Sequence, residues 1–134
     1  MRSGRMKYCI LIMLSLIIFT VTGCTGKDEA SHNITDGLEV TVTSSPSNAK
    51  LLEPVKVLAT IKSGGVKVGD EAQVEFELIK KDGAPIGTVK PERIGEGKYQ
   101  IETIFDEAGV YQIVSHVTLG VEHAMPIHEI SVSP

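Results

Sequence analysis

From Leu38 to the end of the chain, apolar and polar residues alternate in short runs, and a turn signal cuts off each run. A period of two belongs to a β-strand with one face buried. An amphipathic helix would repeat its apolar residues every three or four positions, and no such stretch follows Leu38. Leu38-Glu39-Val40-Thr41-Val42-Thr43 is the first run, and Ser44-Ser45-Pro46-Ser47-Asn48 reads as the loop that ends it. Pro54 to Lys62 and Ala72 to Lys80 follow. Val74, Phe76 and Leu78 take one face of the latter, and Gln73, Glu75 and Glu77 the other. Gly64-Gly65 and Asp82-Gly83 read as turns. A short strand spans Ile86 to Val89, and Arg93 to Gly97 is another turn. Lys98 to Phe105, Tyr111 to Leu119 and Pro126 to Val132 complete the set.

About seven short strands at regular spacing predict an all-β chain folded as an immunoglobulin-like β-sandwich, with a barrel of about eight strands as the alternative. Ala108-Gly109-Val110-Tyr111 entering a β run has the form of a tyrosine corner, in which the phenol hydroxyl ties back to the preceding turn. Cys9 and Cys24 are the only cysteines. With a leader removed, no disulfide can form inside the domain, so the fold rests on its apolar core. About 100 residues suffice for that.

The first 24 residues have a different composition. Arg2, Arg5 and Lys7 precede an apolar run from Ile10 to Val21, and small residues follow, which is the layout of a secretory signal. The run is short for a membrane-spanning helix, which needs about 20 apolar residues. Val21-Thr22-Gly23-Cys24 resembles the bacterial lipobox, whose cysteine is lipidated after cleavage in front of it. The expected organisation is a lipoprotein signal peptide over 1–23, a lipidated Cys24 with a flexible polar tether over 24–37, and a β-sandwich domain over 38–134. An acylated cysteine gains about 0.8 kcal/mol for each buried CH₂, so the expected location is the extracytoplasmic face of the cell membrane, with the lipid bilayer as first partner.

The chain carries 13 basic and 17 acidic residues, a net charge of −4. Three of the basic residues lie in the leader, so the part after Gly23 keeps 10 against 17, or −7. That balance, with no basic cluster, speaks against nucleic acid as a partner. The chain has no Trp and 4% aromatic residues, which leaves no broad stacking surface for bases or sugars.

The chemistry concentrates near the C-terminus. His116 to His128 reads HVTLGVEHAMPIH and holds three of the four histidines and the only methionine outside the leader. Tyr111 pointing inward takes Ile113, Ser115 and Val117 with it and leaves His116 on the opposite face. A loop over Leu119 to Glu122 would pair Thr118 with His123 and His116 with Met125. His116, His123 and Met125 would then converge on one patch, although a slip of one residue would separate them. Two imidazoles and a thioether suit copper better than magnesium or calcium, while zinc would use the histidines alone. His128, beyond Pro126, is a further candidate ligand or else merely exposed. His32 lies in the tether and is assigned no role. The plain alternative is a packed Met125 and solvated histidines.

The domain resembles the YtkA-like family of bacterial lipoproteins. The stretches that carry the likeness are LEVTVTSSP, QVEFELIKKDG and GEGKYQIETIFDEAGVYQIVSHVTLGVEHAMPIHEISV, above all His116-Val117 and His123-Ala124-Met125-Pro126. That family is similar to the periplasmic domain of FixH-type proteins. The resemblance implies a membrane-tethered copper chaperone or accessory factor for cytochrome oxidase assembly, with His116, His123 and Met125 as ligands and an oxidase subunit or another copper carrier as partner. No enzyme activity is expected. Ser115 and His116 are strand neighbours that point to opposite faces, so they cannot act as a nucleophile and base, and no glycine-rich loop precedes a helix. The competing reading is a metal-free sandwich that docks on a membrane protein complex.

Overall fold

The computed structural model describes residues 30–35 and 37–134. The predicted leader, Cys24 and the start of the tether lie outside the described residues. Among the described residues every regular element is a strand. The elements are β1 (Ser31–Thr35), β2 (Leu38–Ser45), β3 (Asn48–Lys50), β4 (Pro54–Ser63), β5 (Val66–Lys67), β6 (Gln73–Lys80), β7 (Pro85–Val89), β8 (Glu92–Gly95), β9 (Lys98–Ile104), β10 (Gly109–Leu119), β11 (Glu122–Ala124) and β12 (Ile127–Ser133).

They form two sheets. One runs β1-β2-β4-β9-β8 with β5 on β4, and the other runs β3-β12-β10-β6-β7 with β11 on β10. Among the described residues only the pairing of β3 with β12 is parallel. Alternation places the core between the sheets. Leu38, Val40, Val42, Val55, Val57 and Ile61 of the first sheet are fully buried, as are Phe76, Ile113, Val117 and Ile130 of the second. Closing two half-apolar sheets on each other removes both apolar faces from water at once, which is the main driving force available where the described residues contain no cysteine.

The seven expected runs are all present, and the structure adds short strands between them. Residues 31–35, expected in the tether, pair antiparallel with β2, from Ser31↔Val42 to Thr35↔Leu38. Backbone pairing is what the polar composition concealed, since the ladder does not depend on apolar side chains. The stretches expected as the loop at 44–48 and the turn at 93–97 contribute to β2, β3 and β8 for the same reason. Gly97 is fixed by space. Its φ is 63°, and a Cβ there would stand 2.3 Å from the Ile61 carbonyl oxygen. The close approach lets Ile61 N donate to Gly97 O at 2.7 Å. The tyrosine corner forms as expected. Tyr111 Oη donates to Glu107 O at 2.8 Å, and its ring lies 4.3 Å from that of Phe105. This tie fixes the inward parity of β10, and so the outward parity of His116.

Candidate metal centre

β10 pairs with β12 from Gly109↔Val132 to Val114↔Ile127, and with β11 from Val117↔Ala124 to Leu119↔Glu122. The two pairings share one register, so β11 and β12 act as one strand interrupted at Met125-Pro126. Pro126 has no N–H to give the ladder, yet its carbonyl accepts from Ser115 N at 3.0 Å and holds the register across the break. The hairpin turn is Gly120-Val121, shorter than the loop expected over 119–122. Gly120 has φ 60°, the glycine-first arrangement suited to a two-residue turn. The expected pairing of Thr118 with His123 is present. The same register carried through places Met125 opposite His116.

His116, His123 and Met125 all lie on the outer face of the second sheet. Buried residues alternate with them along both strands: Val117 against His116, and Ala124 and Pro126 on either side of Met125. The rings of His116 and His123 have centroids 6.3 Å apart with planes inclined at 39°. Met125 is 46% exposed. Each imidazole also has a polar neighbour. His116 Nε2 lies 3.1 Å from Glu77 Oε2 of β6, and His123 Nδ1 lies 2.9 Å from Thr118 Oγ1. Glu75 is directly across from His116, and Glu77 reaches it diagonally.

His128 is the exception. It pairs with Ile113 and faces the interior, 4% exposed, with Nε2 3.0 Å from Ser44 Oγ of the first sheet. As a candidate ligand for the outer patch it is ruled out by parity, because it sits an odd number of positions from His123 on one uninterrupted register. His32, given no role in the sequence, hydrogen-bonds Thr41 Oγ1 at 2.9 Å through Nδ1 on the first sheet. Among the described residues no three His, Cys, Asp or Glu side chains stand together as a ready-made metal site.

On one side the patch opens into a cavity of about 520 Å³, where His116 and Thr118 meet Gln73, Glu75, Lys90 and Tyr99. Toward the other end of β10 the same face carries Gln112, whose amide donates to Glu129 Oε1 at 2.9 Å. Lys81 Nζ bonds the same oxygen at 2.8 Å, and this contact, with help from Gln112, holds the Glu129 carboxyl below the usual carboxylate range. Glu77 was legible in the sequence only as an outward residue of β6. Its contact with His116 spans 39 residues and depends on the β6–β10 register.

The sequence pattern of the YtkA-like family matches residues 32–116. The match runs from β1 to His116 and ends before His123 and Met125. No curated protein matches the chain. Among solved structures, the soluble domain of PmoD from Methylocystis sp. ATCC 49242 (Rockwell) is similar with a TM-score of 0.54 at 10% identity, covering 80% of this chain and 100% of that one. An engineered protein is similar with a TM-score of 0.53 at 15% identity over 71% of this chain. This chain spans 20% of that protein's length. At such identities the likeness is one of fold.

Proposed function

The chain belongs to the YtkA-like family, and on that premise we propose that it is a lipid-anchored extracytoplasmic copper carrier, an accessory factor that hands the ion to a cytochrome oxidase subunit or to another carrier. His116, His123 and Met125 hold the ion. The observation that carries this reading is the approach of the two imidazoles, 6.3 Å between centroids, on a solvent-facing sheet surface beside an exposed thioether. With metal–nitrogen bonds of about 2.0 Å, two imidazoles on opposite sides of one ion have centres about 6 Å apart. Imidazole and thioether donors without carboxylate ligands favour Cu(I). Three partly exposed ligands suit transfer, because a partner can replace them one at a time. The protein performs no catalysis in this scheme, and Cys24 supplies the membrane attachment.

The test is an anaerobic titration of the full chain in detergent with Cu(I) against a competing chelator. Stoichiometric binding that His116→Ala and Met125→Ala both abolish supports the carrier. Binding indifferent to both changes, or no competition at all, refutes it. The second reading, a metal-free docking module, draws on β7, an edge strand exposed along its whole length and presenting Ile86 and Val89 to solvent. In that case partner capture would survive His116→Ala and fail when β7 is altered.

A further inference from the structure

Each imidazole of the pair has one nitrogen engaged by a neighbour, and the two are engaged at different nitrogens. Glu77 Oε2 lies 3.1 Å from Nε2 of His116. An ionised carboxylate only accepts hydrogen bonds, so Nε2–H donates and Nδ1 keeps its lone pair. His123 is engaged at Nδ1 by Thr118 Oγ1 at 2.9 Å, which leaves Nε2 facing away from the hydroxyl. A hydroxyl can donate or accept; where it accepts, Nδ1–H donates and Nε2 keeps its lone pair. Resting on the copper reading above, we propose that Glu77 and Thr118 are positioning residues that make His116 offer Nδ1 and His123 offer Nε2 to the ion.

The register supports this assignment. Thr118 and His123 are directly opposed on β10 and β11, so their contact is built into the hairpin. Glu77 stands two residues along β6 from Glu75, the residue opposite His116, on the same face, and its carboxylate crosses from β6 to meet the ring. Both side chains of that contact are about one-third exposed, at 31% and 30%, so the hydrogen bond is partly shielded from competing water. A carboxylate behind a ligating imidazole fixes its tautomer and its plane and raises its basicity as a donor. Glu77 acts through His116 here, since its nearer oxygen is already committed to Nε2.

Two readouts test the assignment on the full chain in detergent. The first needs no metal. Long-range proton–nitrogen spectra of the histidine-labelled protein, taken well above the ordinary histidine pKa of about 6.5, report which nitrogen carries the proton. Opposite tautomers are expected, with Nε2–H in His116 and Nδ1–H in His123. Thr118→Val should turn His123 to the tautomer of His116, and Thr118→Ser should restore it. The same tautomer in both wild-type rings overturns the proposal, whatever copper does. The second readout is Cu(I) competition. Glu77→Ala should weaken binding about 10–100-fold, with Glu77→Gln recovering most of it because the amide oxygen still accepts. A wild-type protein that binds no copper overturns the carrier reading and this inference together. A wild type that binds, with Glu77→Ala and Thr118→Val binding as tightly, overturns the positioning role alone. If Glu77→Ala fails to fold, the wild-type tautomers decide.

Discussion

The two faces of the second sheet put histidines to opposite uses. His128 and His123 lie on one segment in one register with β10, yet His128 is sealed between the sheets against Ser44 while His123 stands in solvent beside His116. The residue type is the same, and strand parity alone turns one into the core and the other out to solvent. A histidine count therefore says little about a metal site in a β protein until the register is known. The inner face is intolerant of change because it is close-packed. The outer face can be altered with little effect on folding, which makes the comparison open to experiment.

The sharpest contrast comes from neighbouring positions of β10. Ile113 is fully buried at the centre of the core. Ile113→Ala should cost about 2–5 kcal/mol of stability, through lost burial and the cavity left behind. Urea unfolding measures this, and a cost below about 1 kcal/mol would mean the inner face is not packed as described.

The histidines come next. His128→Ala should lower stability by about 1–3 kcal/mol, since it removes a buried side chain and the hydrogen bond to Ser44. It should leave Cu(I) affinity unchanged. His116→Ala should do the reverse, moving stability by only about 0.5 kcal/mol and lowering Cu(I) affinity by at least about tenfold. Measuring unfolding and chelator competition on the same two proteins gives a crossed result if parity divides the roles. Parallel losses in both variants would break the division.

The register that creates the contrast rests on the turn. At Gly120 nothing stands within 4 Å of an added Cβ, so only the positive φ resists substitution. Gly120→Ala should cost about 1 kcal/mol from backbone strain alone. If copper affinity falls by far more than stability does, the turn's chief role is to keep His123 opposite Thr118.

Much of this arrangement can be read from the sequence, and the limits have physical causes. Most of the main strands announce themselves through apolar residues at every second position, while β7, exposed along its length, does not. The tyrosine corner is local, because Tyr111 and Glu107 are four residues apart. The hairpin pairing of Thr118 with His123 is local too, although the turn at Gly120-Val121 is shorter than the loop expected over 119–122. The polar strand β1 shows no alternation strong enough to mark it, since its support is the backbone ladder to β2. Glu77 beside His116 and Ser44 beside His128 are long-range contacts set by how strands distant in sequence come together. His128 shows how parity misleads when Pro126 suggests a break. The proline removes one donor but adds no residue, so the alternation runs through it unchanged.

The smallest expected effect concerns pH and two surface ion pairs flanking the β6–β7 turn, Lys80 with Glu107 and Lys81 with Glu129. The lysine partners hold both carboxyls below their ordinary value of 4.5, chiefly by hydrogen bonding. A depressed folded value means that the carboxylate contribution is complete above 4.5 and is lost as pH falls through the lowered value. The lysines are raised from 10.5, chiefly by hydrogen bonds to the same carboxylates, so their contribution is complete below 10.5 and is lost as pH rises through the raised value. Between those limits the pairs should leave the urea midpoint flat. Tyr99, raised from 10.0 by burial, adds to the loss at the alkaline end only. A Lys81→Ala protein should show a shallower acid decline than the wild type, and added salt should narrow the difference because both pairs are exposed. An unchanged acid limb in Lys81→Ala would show that Glu129 owes nothing to its lysine, and that this end of the outer face is as loosely coupled to stability as the end carrying His116.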